Sequence, residues 1–86
     1  MSVVVKRILL DSLKPRELSI IELSKALGFV NGVEEVNVVV MEVDSRTETI
    51  KVTIKGPQID YGAVQEVMEK YGVSIKGVDE ATVAKT

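Results

Sequence analysis

The 86-residue chain is 45% apolar and 28% charged, the composition and length of one folded domain spanning residues 1–86. It contains no cysteine and no histidine, which removes disulfides, thiolate metal sites, thiol catalysis, the usual neutral-pH general base and the commonest zinc ligand. A formal charge of −2 gives no general attraction to nucleic acid or to anionic membranes, and neither is expected as a partner.

The first segment, Val3 to Asp11, is apolar and β-branched apart from Lys6, Arg7 and Asp11. Both of its alternating faces are mainly apolar, which predicts a central strand. It is too short and too interrupted by charge for a signal peptide or a membrane span, so the cytoplasm is the expected location. Lys14-Pro15 is expected to break the strand. Ser19-Ile-Ile-Glu22 then has the form of a capping box, and Ile20, Leu23, Leu27 and Val30 recur at helical spacing. Gly28 and Asn31-Gly32 supply the exit. Val33 to Asp44 and Thr47 to Lys55 are long β-branched runs joined by the polar turn Asp44-Ser-Arg-Thr47, which predicts an antiparallel hairpin. Gly56-Pro57 ends the second arm. Asp60 is a good N-cap, Ile59 and Val64 are spaced as a hydrophobic staple, and Val64, Val67, Met68 and Tyr71 form the stripe of a second helix. Gly72 stands where a helix-terminating glycine belongs, and Val73 to about Val83 reads as the last strand.

The order βαββαβ, with right-handed crossovers, predicts an α+β ferredoxin-like sandwich. Its antiparallel four-stranded sheet has the order 4-1-3-2, with both helices on one face. In the hairpin, Ile50, Val52 and Ile54 alternate with Thr49, Lys51, Thr53 and Lys55, so the isoleucine face should meet the helices. A two- or four-residue turn pairs that face with Val39, Met41 and Val43. Val36, Val38 and Val40 should then form an apolar row on the open face. Either another subunit covers that row or Lys51 and Lys55 shield it. The outer strands also present unpaired edges, and a homo-oligomer is expected.

The acids Glu42 and Asp44, with Glu48 beside them, form one cluster; Asp79 and Glu80 form another. The ends of strands 2 and 4 are expected at one end of the sheet, on opposite edges about 14 Å apart at roughly 4.8 Å per strand. Two subunits meeting edge to edge could join Glu42, Asp44, Asp79 and Glu80 into an oxygen-only site suited to Ca²⁺ or Mg²⁺. Solvated strand-end charges are the plainer reading. Lys6, Arg7, Lys14 and Arg16 form a basic group. Lys6 and Arg7 point to opposite faces of the central strand, so one of them lies on the open face. There it either pairs with a carboxylate of a neighbouring subunit or binds an anionic ligand.

The strands carry no aromatic residue on which RNA bases could stack. The first loop lacks the cysteine pair of a heavy-metal-associated domain, although Gly32-Val-Glu-Glu-Val36 is similar to that family's entry to strand 2. Nothing matches the arginine loop of acylphosphatase. No Walker, GxSxG or paired-carboxylate pattern occurs, so no catalytic residue is assigned.

Five stretches resemble the largely archaeal domain-of-unknown-function family 211. They are Leu9-Leu-Asp-Ser-Leu-Lys-Pro15, Gly32-Val-Glu-Glu-Val-Asn-Val38, Met41-Glu-Val-Asp44, Glu48-Thr-Ile-Lys-Val-Thr-Ile-Lys-Gly56 and Tyr71-Gly-Val-Ser-Ile-Lys-Gly-Val-Asp-Glu80. The resemblance implies the ferredoxin-like fold, favours oligomeric assembly and implies no activity. It draws attention to Asp11, Glu42, Asp44, Asp79 and Glu80, and it is expected to stop before Ala81. The chain is also similar, at fold level only, to regulatory domains of the ACT type, which bind effectors between subunits near the first loop. Here that region is Asp11-Ser-Leu-Lys-Pro15, so Lys6, Arg7, Asp11 and Lys14 are candidates for contact with a small ligand or a neighbouring subunit. The expected function is a non-enzymatic, self-assembling module that binds a divalent cation or small ligand at subunit contacts. The alternative is a purely structural or protein-interaction subunit.

Overall fold

The computed structural model describes residues 2–86. Its elements run β1 (Val3–Pro15), α1 (Ile20–Gly28), β2 (Glu35–Val43), β3 (Thr47–Lys55), α2 (Tyr61–Lys70) and β4 (Ser74–Lys85). The four strands form one antiparallel sheet in the order β2-β3-β1-β4, the ferredoxin-like arrangement. Ile8 and Leu10 of β1 and Ile50, Val52 and Ile54 of β3 point to the helix-bearing side. They pack there against Leu23 and Leu27 of α1 and Val64 and Met68 of α2.

Both helix starts follow from their capping residues. The Ser19 hydroxyl accepts from the amides of Ile21 (3.1 Å) and Glu22 (3.4 Å), and the Asp60 carboxylate accepts from the Ala63 amide at 3.1 Å. Ile59 and Val64 are both buried, as a staple requires. At the end of α2, the Val73 amide donates to Met68 O (2.8 Å) and the Gly72 amide to Glu69 O (3.0 Å), a Schellman closure. It turns on Gly72 at φ +73°. The other left-handed glycine, Gly32 (φ +84°), lets the loop after α1 lie directly on the backbone of Gln58, where a Cβ would collide with the Gln58 carbonyl.

Two features depart from the sequence expectation. First, β1 runs on through Ser12, Leu13, Lys14 and Pro15, which pair with β3 as far as Pro15 opposite Thr47. Proline is tolerated at this last strand position, where little ladder follows it. The alternation Ile8, Leu10, Ser12, Lys14 therefore continues on the inner face. Lys14 is buried there at 1% exposure. Its Nζ lies 2.7 Å from Glu48 Oε1 and donates to the carbonyls of Leu18 (2.5 Å), Pro15 (3.0 Å) and Arg16 (3.5 Å).

Second, the faces of β2 are reversed. The hairpin end has the expected pairing, Val43 opposite Glu48, but Met41 is an extra, bulged residue. Beyond it the register becomes Val40 opposite Ile50, Val38 opposite Val52 and Val36 opposite Ile54. One inserted residue moves every following side chain to the other face. Val36, Val38 and Val40 are accordingly half-buried against the core, on the helix-bearing side, and do not form an open-face row. Val39, Met41 and Val43 are the exposed apolar residues of this strand.

Lys14→Met would leave the mostly buried Glu48 carboxylate and three carbonyls without their cation. We expect a loss of about 3–5 kcal/mol, read from urea denaturation, with the Lys14→Met/Glu48→Met double variant recovering much of it.

Candidate functional site

The open face of the sheet is a lattice of cross-strand ion pairs. Lys55 and Glu35 are register partners whose charged groups lie 3.7 Å apart. Asp11 and Lys51 are also register partners, at 3.5 Å. Strand β4 places Glu80 opposite Leu9 and Val78 opposite Leu10, so Asp79 bulges out of the ladder. The bulge turns two successive acids toward the open face. Asp79 accepts from Lys51 Nζ at 2.5 Å, across the width of β1, and Glu80 pairs with Arg7.

Lys51 thus sits between two carboxylates, and its pKa is raised. The hydrogen bond to Asp79 is the main cause; desolvation opposes it, and the charges of Asp11 and Asp79 add to the rise. A lysine held more firmly cationic is a charge anchor and a poor nucleophile or base.

The structure separates several residues that the sequence grouped. Strands β2 and β4 run antiparallel to one another, so their ends lie at opposite ends of the sheet. Glu42 aligns through Thr49 and Leu13 with Ser74, at the start of β4, whereas Asp79 and Glu80 lie further along that strand. Asp44 accepts from the Ser45 amide at 2.8 Å and shapes the hairpin turn. Among the described residues no group of three His, Cys, Asp or Glu side chains could hold a metal ion. Of the ligand or subunit-contact candidates, Arg7 and Asp11 share the open face but belong to separate ion pairs, and Arg7 finds its carboxylate within its own chain. Lys14 is on the opposite face, and Lys6 is the bulged residue of β1 opposite β4, its carbonyl accepting from the Gly56 amide. Asp11-Ser-Leu-Lys-Pro15 is strand and not a loop, with Ser12 and Lys14 fully buried.

Three of the shallow hollows formed by the described residues have no contribution from Glu42, Asp44, Asp79 or Glu80. One of about 390 Å³ lies beside α2 and the start of β4, one of about 430 Å³ lies between α1 and α2, and one of about 410 Å³ lies between Asn31 and Asp60. Sequence reasoning did not single out Phe29, on the rim of the second, which is 89% exposed at the end of α1. The available signal was its position immediately after Gly28, outside the Leu23–Leu27 stripe. No helix among the described residues is long and apolar enough to cross a membrane.

The family model of domain-of-unknown-function family 211, described as Uncharacterized ArCR, matches residues 6–86. The chain belongs to this family. An uncharacterized protein of Methanocaldococcus jannaschii is 38% identical over 81 residues, covering 94% of this chain and 84% of that protein. The family match continues through Ala81–Thr86, beyond the point where the sequence resemblance was expected to stop, and these residues through Lys85 are paired in β4.

Because the folded-state pKa of Lys51 is raised, its ion pairs contribute stability that is fully present below the ordinary lysine range. That contribution is lost as pH rises through the raised value. Urea denaturation at neutral and strongly alkaline pH should show a smaller alkaline loss for Lys51→Met than for the parent chain. Equal losses would count against the arrangement.

Proposed function

We propose that this chain is a non-catalytic, self-assembling module whose copies join through the edges of the sheet. The observation that carries this reading is that five of the eight exposed large apolar side chains among the described residues fall on the outer strands, the others being Val3 on β1 and Ile21 and Phe29 at α1. Val39, Met41 and Val43 lie on β2, and Val78 and Val83 lie on β4. These are the two outer strands, so apolar surface and unpaired backbone coincide at both edges. Since β2 and β4 run antiparallel, β2 of one copy can pair with β4 of the next while the helices stay on one side of a continuous sheet. Such a head-to-tail contact uses two different surfaces. It closes into a ring where the rotation per copy permits. The open face, filled with internal ion pairs, supports a wet surface in preference to a dry contact.

This reading predicts that the parent chain sediments as a defined oligomer and that Val39→Lys/Val43→Lys shifts it to smaller species. A parent chain that stays monomeric at all concentrations would refute it.

A second reading adds a divalent cation, Ca²⁺ or Mg²⁺, at the joint. It is favoured by the state of the acids. Asp79 and Glu80 are held by Lys51 and Arg7, whereas Glu42 and Asp44 take part in no salt bridge among the described residues. Both sit toward the hairpin end of the β2 edge, where a neighbouring copy would supply further oxygen ligands. Melting curves with Ca²⁺ and with chelator should then differ for the parent chain and coincide for Glu42→Ala/Asp44→Ala. Coincident parent curves would remove the cation from the model of assembly.

A further inference from the structure

The helix layer carries an apolar feature that the edge contacts leave unused. Phe29, the C-cap of α1, is the most exposed of the large apolar side chains among the described residues, at 89%. Its backbone is well fixed: its amide donates to the Ala26 carbonyl at 3.3 Å, and the next residue, Val30, is buried in the core. The point from which the ring projects is therefore fixed on the surface. Leaving an aromatic side chain in water forfeits the stabilisation that its burial would give.

Beside it lies the hollow of about 430 Å³ between the two helices. Ala26 and Ala63 line it from α1 and α2, joined by Val30 and Val67. Two alanines facing one another across a helix pair leave room for a side chain from outside, and the apolar lining suits an aromatic ring. The polar residues at the rim include one charge of each sign, Glu66 and Lys70, one turn apart on the exposed side of α2.

We propose that this patch is a two-fold contact with a second copy of the chain, each copy lodging Phe29 in the hollow between α1 and α2 of the other. Three properties point to a second copy as the occupant. The patch carries both the projecting aromatic ring and a recess suited to one, which is what a self-complementary two-fold surface requires. Its rim holds one acid and one base, so rotation of the patch onto itself can set each Glu66 beside the other copy's Lys70. A surface of a single sign would repel its own copy instead. The contact also lies on the helix layer, so it is independent of the β2 and β4 edges. It shares with the edge reading only the premise that copies associate, and together the two contacts would join edge-built assemblies back to back.

The test is sedimentation velocity of the whole chain over a concentration series, with circular dichroism to confirm folding. Phe29→Ser changes a side chain in no core contact and should leave the melting temperature nearly unchanged, while weakening the two-fold association at least about thirtyfold, as for an anchoring aromatic. Glu66→Lys and Lys70→Glu, each placing like charges together, should weaken it singly, and the double variant Glu66→Lys/Lys70→Glu should restore it. Association unaltered by Phe29→Ser and by the single reversals overturns this proposal and leaves the edge reading standing. Loss of association on Phe29→Ser, with Val39→Lys/Val43→Lys inert, supports it and overturns the edge reading. A charge swap that fails to rescue the single reversals removes the two-fold geometry, and a parent chain that is always monomeric removes both contacts.

Discussion

Lys14 is where the sheet, the first connection and the first helix are fastened together. Its ammonium group is enclosed by Glu48 from β3 and by the carbonyls of Pro15, Arg16 and Leu18 from the connection to α1. A buried cation is tolerated only when its donors are matched in this way, so the requirement works in both directions. It fixes the last pairs of β1 against β3, and it curls residues 15–18 so that Ser19 arrives in position to cap α1. An apolar residue at position 14 could fill the same volume but would give the loop carbonyls no common partner. Specific placement of the first helix therefore depends on a charge within an interior that is otherwise apolar apart from Ser12.

On the other side of the sheet, charge is used differently. The pairs between Arg7 and Glu80, Lys51 and its two aspartates, and Lys55 and Glu35 remain partly exposed, where each such pair is worth little in stability. Their effect is to keep a broad strand surface polar. Leu9 and Leu13 share that surface with them but are half-buried in it. Most of the exposed large apolar side chains among the described residues fall on the outer strands and at Phe29, with Val3 and Ile21 standing singly elsewhere, and a clustered patch marks a contact surface where a single exposed residue does not.

The sequence disclosed much of this architecture because local rules and tertiary demands agree. The alternation in Ile50–Ile54, the caps at Ser19 and Asp60, and the glycine at 72 each had one reading, and the structure follows it. The failures have equally local causes. A bulge at Met41 is invisible in a run dominated by valine on both faces, yet it exchanges the two faces of β2. Lys14-Pro15 has the composition of a break, although the inward parity of Ile8, Leu10 and Ser12 and an acid at position 48 were signals of a buried pair. The directions of β2 and β4 followed from the predicted strand order itself; placing their ends together was an error of topology. The pairing of Lys51 with Asp79 depended on a second bulge and had no sequence signal of its own.

The long pairing of β1 with β4 also bears on how the chain reaches this state. The ladder joins Val3 to Lys85 and continues to Leu13 opposite Ser74, so the central strand is completed by the segment most distant from it in sequence. Closing that loop is entropically expensive and tends to come late. During synthesis, residues 3–55 can form a three-stranded sheet with one helix, but the β4 side of β1 stays open until residues 74–85 have left the ribosome. A nascent chain at that stage displays a long strand edge that the finished domain covers, and it is then most vulnerable to pairing with the wrong partner.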